Sequence, residues 1–147
     1  MRLTRFTDYS LRVLIYLGQN THNRVTIHQI SESYDISKNH LMKVVCNLTR
    51  HELVTAQRGP GGGIRLNQSP EKIRLSEVIC NTEKHIELLD DGVELDLTEQ
   101  TPTDRLGTYL DFALKSYLQA LGQFTLADVL SAEPIAMQMM SPGKISI

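Results

Sequence analysis

Residues 54–66, Val-Thr-Ala-Gln-Arg-Gly-Pro-Gly-Gly-Gly-Ile-Arg-Leu, constrain the fold of this chain more than any other stretch. They spell two short strands around a tip built from Gly59, Pro60, Gly61, Gly62 and Gly63, with Arg58 at its base. Glycine takes positive φ at no steric cost, so such a tip turns tightly and brings backbone close to a second surface. A phosphate backbone is one such surface. The hairpin follows directly on a pair of short helical patterns, and helix–turn–helix followed by a β-hairpin is the order of a winged DNA-binding domain.

The helical patterns are marked by caps and spacing. Thr7 is a candidate cap for a first helix to about Leu17, with Leu11, Val13, Leu14 and Leu17 as its buried side. After the polar loop Asn20 to Arg24, Thr26 caps a short helix carrying Ile27, Ile30 and Tyr34. Asp35-Ile36-Ser37 forms the turn, and Ser37 caps a third helix with Leu41, Val44, Val45 and Leu48 at helical spacing. Beyond the hairpin, Ser69-Pro70 reads as a helix start with Ile73, Leu75, Val78 and Ile79 as its apolar side.

Residues 81–100 are acidic and lack a clean period, so they read as a loop of marginal order. Thr101-Pro102-Thr103-Asp104 then opens the longest helix, whose apolar stripe is Leu106, Leu110, Ala113, Leu114, Tyr117, Leu118 and Leu121. At 1.5 Å per residue it is about 30 Å long. A small winged domain cannot cover that length, so pairing with the same helix of a second copy is the favoured expectation over packing within one subunit. Thr125 to Leu130 forms a short docking helix, and the tail from Ala132 reads as frayed. The expected fold is mainly α with a small β-hairpin wing: a winged helix-turn-helix plus a long C-terminal dimerisation helix. Its units are a DNA-binding domain at 1–80, an acidic loop at 81–100, a dimerisation helix and docking helix at 101–131, and a flexible tail at 132–147.

Charge agrees once the chain is divided. The net charge is −2, but residues 1–66 carry nine Lys/Arg against four Asp/Glu, while residues 67–147 carry six against thirteen. A basic binding module joined to an acidic body follows. The sequence lacks a signal-peptide core and a membrane-length apolar run, which predicts a cytoplasmic protein without a membrane partner. Two cysteines, Cys46 and Cys80, make neither a disulfide framework nor a zinc spacing. Five scattered histidines (His22, His28, His40, His51 and His85) form no metal pattern, and no phosphate-binding loop opens a helix. An enzyme is not expected, and no metal site or catalytic residue is assigned.

In a helix–turn–helix the second helix enters the major groove. With the apolar positions turned inward, its outward set is Lys38, Asn39, His40, Met42 and Lys43. Asn39 suits adenine, Lys38 and Lys43 suit guanine edges or phosphates, and Met42 suits a thymine methyl or a solvent-facing position. His40 reads as a polar surface residue. Thr26 and Ser37, at the two helix starts, join the candidate DNA-contacting set. Arg58 fits a narrow minor groove, with Gly59, Pro60, Gly61, Gly62 and Gly63 carrying the approach, and Arg65 should face phosphate between inward Ile64 and Leu66.

Phe-Thr-Asp-Tyr near the start, Ile-Ser-Lys-Asn-His-Leu-Met-Lys-Val-Val at 36–45 and Arg-Gly-Pro-Gly-Gly-Gly-Ile-Arg-Leu at 58–66 resemble the NsrR/IscR family of bacterial winged-helix transcription regulators. Ile-Arg-Leu-Ser-Glu-Val at 73–78 and Phe-Thr-Leu-Ala-Asp-Val at 124–129 extend the likeness over residues 1–131, closest to the nitric-oxide-responsive repressors. The resemblance implies a homodimer, with the long helix crossing its partner, on double-stranded DNA bearing an AT-rich palindromic operator. It also implies an iron–sulfur cluster on three cysteines in the loop before that helix. Carried onto this chain, those positions fall at Val93, Thr98 and Asp104, and none is cysteine. Thiolates are the ligands such clusters need, so no cofactor is expected. In some members a carboxylate like Asp8 completes the cluster; here a first-turn helix acid is the simpler role.

The missing thiols leave three accounts open: cysteines replaced by engineering, DNA binding without a signal, or a different effector sensed through the acidic loop. That effector would be a small molecule, a metal ion or a partner protein, with His85 in the acidic run inviting a divalent cation less strongly than a solvated loop. A protein–protein interaction module with vestigial DNA binding is the alternative to the repressor reading.

Overall fold

The computed structural model describes residues 2–83 and 102–132, Asp104 by its backbone alone. The elements run α1 (Arg5–Gln19), α2 (Ile27–Tyr34), α3 (Lys38–Arg50), β1 (Val54–Gln57), β2 (Gly63–Leu66), a 3-10 turn (Pro70–Lys72), α4 (Leu75–Thr82), α5 (Pro102–Leu121) and α6 (Leu126–Leu130). This is the expected helical protein with a hairpin wing.

One core runs from α1 through the hairpin to α6. Val13, Leu14 and Leu17 of α1, Ile30 of α2, and Leu41, Val44, Val45 and Leu48 of α3 are buried together. Leu53, Val54 and Ile64 continue that core into the hairpin, and Ile73, Val78 and Leu126 carry it to the docking helix. The same 3.6-residue spacing that buries these positions turns the intervening polar ones outward.

The start of α1 departs from expectation. Thr4, not Thr7, is the N-cap, accepting a hydrogen bond from Thr7 N at 3.3 Å. Thr7 is drawn one turn inside, fully buried, where its hydroxyl lies 2.9 Å from that of Thr82 and donates to Glu83 at 2.6 Å. A hydroxyl with partners in a distant helix is better placed there than at an exposed cap. Thr26, Ser37 and Thr125 cap α2, α3 and α6 as expected.

Ser69-Pro70 starts only a single 3-10 turn. Ile73 is extended because its carbonyl accepts from Leu126 N at 2.8 Å, and Arg74 bridges Thr125. That pairing with the cap of α6 interrupts the helix, which resumes at Leu75 and continues through Thr82, two residues past the expected boundary. Residues 84–100 of the acidic loop and the tail from 133 lie outside the described residues.

No α5 residue with a described side chain is buried within the chain. The expected stripe divides in two. Leu110, Leu114, Tyr117, Leu118 and Leu121 are half-covered, on a helix that packs against α4. Leu106 remains 54% exposed, beside Tyr109 at 68% and Phe112 at 72%, two large apolar residues outside the expected stripe.

Candidate nucleic-acid interface

The first two turns of α3 carry a compact polar face. Asp35 takes the left-handed conformation (φ 52°), which reverses the chain sharply between α2 and α3. Buried Ile36 anchors the turn, and Ser37 accepts from His40 N at 3.3 Å to start the helix. With Leu41, Val44 and Val45 committed to the core, Lys38, Asn39, His40, Met42 and Lys43 are all exposed, Met42 by half. Lys38 and Lys43 enter none of the ion pairs among the described residues. Their charge is therefore free to meet an external anion.

His40 is exposed, as a polar surface residue should be, and it also has an aromatic neighbour. Its ring lies 6.0 Å from that of Tyr9 on α1, tilted by 37°. Tyr9 thus supports the N-terminal end of α3, a role no local sequence signal announces. A second brace joins α1 to α2: Asp8 pairs with Arg12 at 3.0 Å, and the Arg12 guanidinium sits 5.6 Å from the Tyr34 ring centroid. Asp8 is thereby the first-turn acid that its position suggested.

The wing pairs Val54 with Leu66, Thr55 with Arg65, Ala56 with Ile64 and Gln57 with Gly63. Between the strands, Gly59 and Gly61 adopt φ of 94° and 72°, and Gly62 N donates to Gly59 O at 2.9 Å. A side chain at Gly62 would collide with backbone: a Cβ would lie 2.5 Å from Gln57 O and 2.7 Å from Gly59 O. The far edge of β2 is covered as well. Val25 exchanges two backbone hydrogen bonds with Ile64, at 2.9 and 2.7 Å, and Arg24 Nη1 donates to Gly63 O at 3.4 Å. Arg24 ends the stretch that reads as a polar loop in sequence and Val25 follows it, yet together they hold the far edge of the wing against the domain. Arg58, Pro60 and Arg65 are exposed, while Ile64 next to Arg65 is buried.

Thr26 sits at the start of α2, with its backbone N–H and hydroxyl both donating to Gln29 Oε1 at 2.8 and 3.0 Å. The structure thus gathers the expected residues in three groups: the exposed face of α3, the wing, and the cap of α2. Chemically, they combine amide and ammonium groups suited to base edges with arginines suited to phosphate.

The Rrf2 family, described as "Iron-dependent Transcriptional regulator", matches residues 3–132. The chain is 42% identical over 144 residues to the HTH-type transcriptional regulator NsrR of Bacillus licheniformis, spanning 96% of this chain and 100% of that protein. It is 40% identical over 142 residues to the NsrR of Bacillus subtilis strain 168, spanning 95% and 97%. Among solved structures, T. potens IscR superimposes with a TM-score of 0.70 at 21% identity, covering 93% of this chain and 96% of that one. CymR (YrzC), the global cysteine regulator of B. subtilis, does so with 0.67 at 24% identity, covering 91% and 99%. These likenesses carry the fold.

The iron in the family description finds no matching donors among the described residues. Cys46 on α3 and Cys80 on α4 are free and exposed, and no three His, Cys, Asp or Glu side chains gather there to hold a metal ion. The chain has two cysteines in all, fewer than three thiolate ligands require. Val93 and Thr98 lie outside the described residues, and the backbone at Asp104 is helical, in α5.

Proposed function

Since the chain belongs to the Rrf2 family of transcriptional regulators, we propose that it is a homodimeric repressor that lays α3 in the major groove of an AT-rich palindromic operator. The observation that carries this reading is the exposed α3 face beside a glycine-tipped wing on the basic half of the chain. On it, Asn39 pairs with adenine, Lys38 and Lys43 meet guanine edges or phosphates, and Met42 packs on a thymine methyl. His40 borders these contacts, and Ser37 and Thr26, at the starts of α3 and α2, bring those helix ends to the flanking phosphates. Arg58 enters the minor groove, Gly59, Pro60, Gly61, Gly62 and Gly63 let the tip approach, and Arg65 meets phosphate.

The chain divides functionally into a DNA-binding domain at 1–80, a sensor-loop equivalent at 81–100, an assembly unit at 101–131 and a tail at 132–147. The exposed Leu106, Tyr109 and Phe112 of α5 are covered by the second copy, whose own α3 then reads the second half-site. Major-groove half-sites lie about 34–36 Å apart, or a multiple of that. No helix among the described residues is long and apolar enough to cross a membrane, and a DNA target places the regulator in the cytoplasm. No catalytic residue is assigned.

A gel-shift titration on AT-rich palindromic duplexes tests the proposal. Affinity should fall steeply with salt, on the order of a thousandfold between 50 and 200 mM for six or more phosphate contacts. Absent or salt-insensitive binding sinks it, and would favour the protein-interaction module instead.

A further inference from the structure

Val25 lies along the outer edge of β2, paired antiparallel with Ile64, and both side chains are buried. One residue on, the same pairing sets Arg24 opposite Arg65, and residues opposite one another share a face. Since Val25 and Ile64 point into the core, Arg24 and Arg65 stand on the face turned away from it. The contacts at Gly63, which shares the face of Arg65, agree. Arg24 Nη1 reaches Gly63 O at 3.4 Å, and a Cβ on Gly63 would come 3.2 Å from Arg24 Cβ. Thr55 faces Arg65 across the other edge of β2. The row across the base of the wing is therefore Arg24, Arg65 and Thr55.

Like charges placed directly opposite each other repel. Neither arginine enters an ion pair among the described residues; Arg65 is exposed and Arg24 half-buried. Arg65 also borders an open groove whose other polar linings are Thr21, Asn67, Gln68 and Ser69, with no carboxylate among them. Two guanidinium groups side by side, with hydroxyl and amide neighbours and no internal counter-ion, are the donor set of a phosphate site. We propose that Arg24 and Arg65 together hold one phosphate of the DNA backbone, on the strand bordering the minor groove that the wing enters. The Gly63 carbonyl fixes one arm of the Arg24 fork and leaves its other N–H groups for the phosphate. The base of the wing is then an anchor in its own right, separate from the glycine tip, and Arg24 joins the DNA surface from the loop before α2. The inference rests on the DNA-binding reading of the wing.

The test uses the full chain and a duplex selected by the parent protein from a random-sequence pool. Arg24→Gln keeps a donor for Gly63 O and removes the charge. It should weaken binding about tenfold, the scale of one charge-assisted hydrogen bond, with base preference unchanged. The salt slope should fall by about one, and Arg24→Lys should keep it. Replacing single phosphates by neutral methylphosphonates should reveal one backbone position that weakens the parent but not R24Q or R65Q. Because both arginines share that phosphate, the double variant should lose less than the product of the two single losses. Without DNA, R24Q should melt no lower than the parent, since a repulsive pair is relieved. Unchanged binding, losses that multiply, or a lower melting temperature with an unchanged salt slope overturns the site. A parent protein that selects no duplex defeats the DNA reading instead. Inorganic phosphate should then still raise the melting temperature of the parent more than that of R24Q, and equal shifts defeat the phosphate site itself.

Discussion

At the scale of single residues, the wing separates two uses of glycine. Gly61 needs its positive φ but has open space where a side chain would go, whereas Gly62 is walled in by the carbonyls of Gln57 and Gly59. Gly61→Ala should cost only backbone strain, about 1–2 kcal/mol at the tip. Gly62→Ala should force the tip open and reduce operator affinity about tenfold or more. Both should leave the melting temperature within a few degrees, because the tip contributes nothing to the core, and calorimetry alongside binding checks this. On α3, Asn39→Ala should relax base preference by about 1–3 kcal/mol at one position. Lys43→Ala should weaken all duplexes alike and lower the salt slope by about one. Competition binding across single-base variants distinguishes the two, and equal behaviour of both variants would relocate the reading face. Lys38 to Lys43 were legible in sequence because Leu41, Val44 and Val45 state which way the helix faces. The Tyr9–His40 contact was not, since it joins two helices whose individual patterns say nothing of their angle.

At the scale of elements, caps were legible wherever the capping group is local. Thr26 with Gln29 and Thr125 with Asp128 can be read from spacing alone, and Ser37 from its place before an apolar period. The start of α1 offers two threonines, and the one expected to cap is instead turned inward by partners some 75 residues away. Likewise Pro70 is a sound helix opener, but the backbone pairing of Ile73 and Arg74 with the cap of α6 decides where α4 begins.

The Glu83 junction has a pH signature. Burial raises its carboxyl, and the hydrogen bonds from Thr7 and Thr4 more than offset this, so it titrates below the ordinary glutamate value. A depressed folded-state pKa contributes stability that is complete above the unfolded value of about 4.3 and is lost as pH falls through the folded one. Acid titration of the fold by circular dichroism should show a component below about pH 4.5 that is flattened in Glu83→Gln. An identical acid limb in parent and variant would remove the carboxylate from the stability of this junction.

For the whole molecule, charge and helix length foretold the architecture better than they foretold the faces of α5. The 20-residue helix was evident from its cap and period. Tyr109 and Phe112 fall outside the single stripe that helical spacing picks out, because this helix is apolar both on the side half-covered by its own chain and on the side left bare. Phe112→Asp should leave the winged domain folded and shift the protein to monomer in sedimentation. It should also lose the cooperative binding of two half-sites while each domain keeps its non-specific affinity. A dimer that survives this change places the contact elsewhere on α5.

On the homodimer proposed above, the bare side of α5 would also tie the regulator to its own abundance. If subunits are stable only in pairs, partner concentration acts as a ligand of the folded state, and each tenfold dilution removes about 1.4 kcal/mol from the assembled form. A cell that stops making the protein then loses it faster than growth alone would thin it, since lone chains expose an apolar helix to proteases and chaperones. Release of the target genes would consequently steepen as the pool shrinks, a threshold set by copy number rather than by any effector.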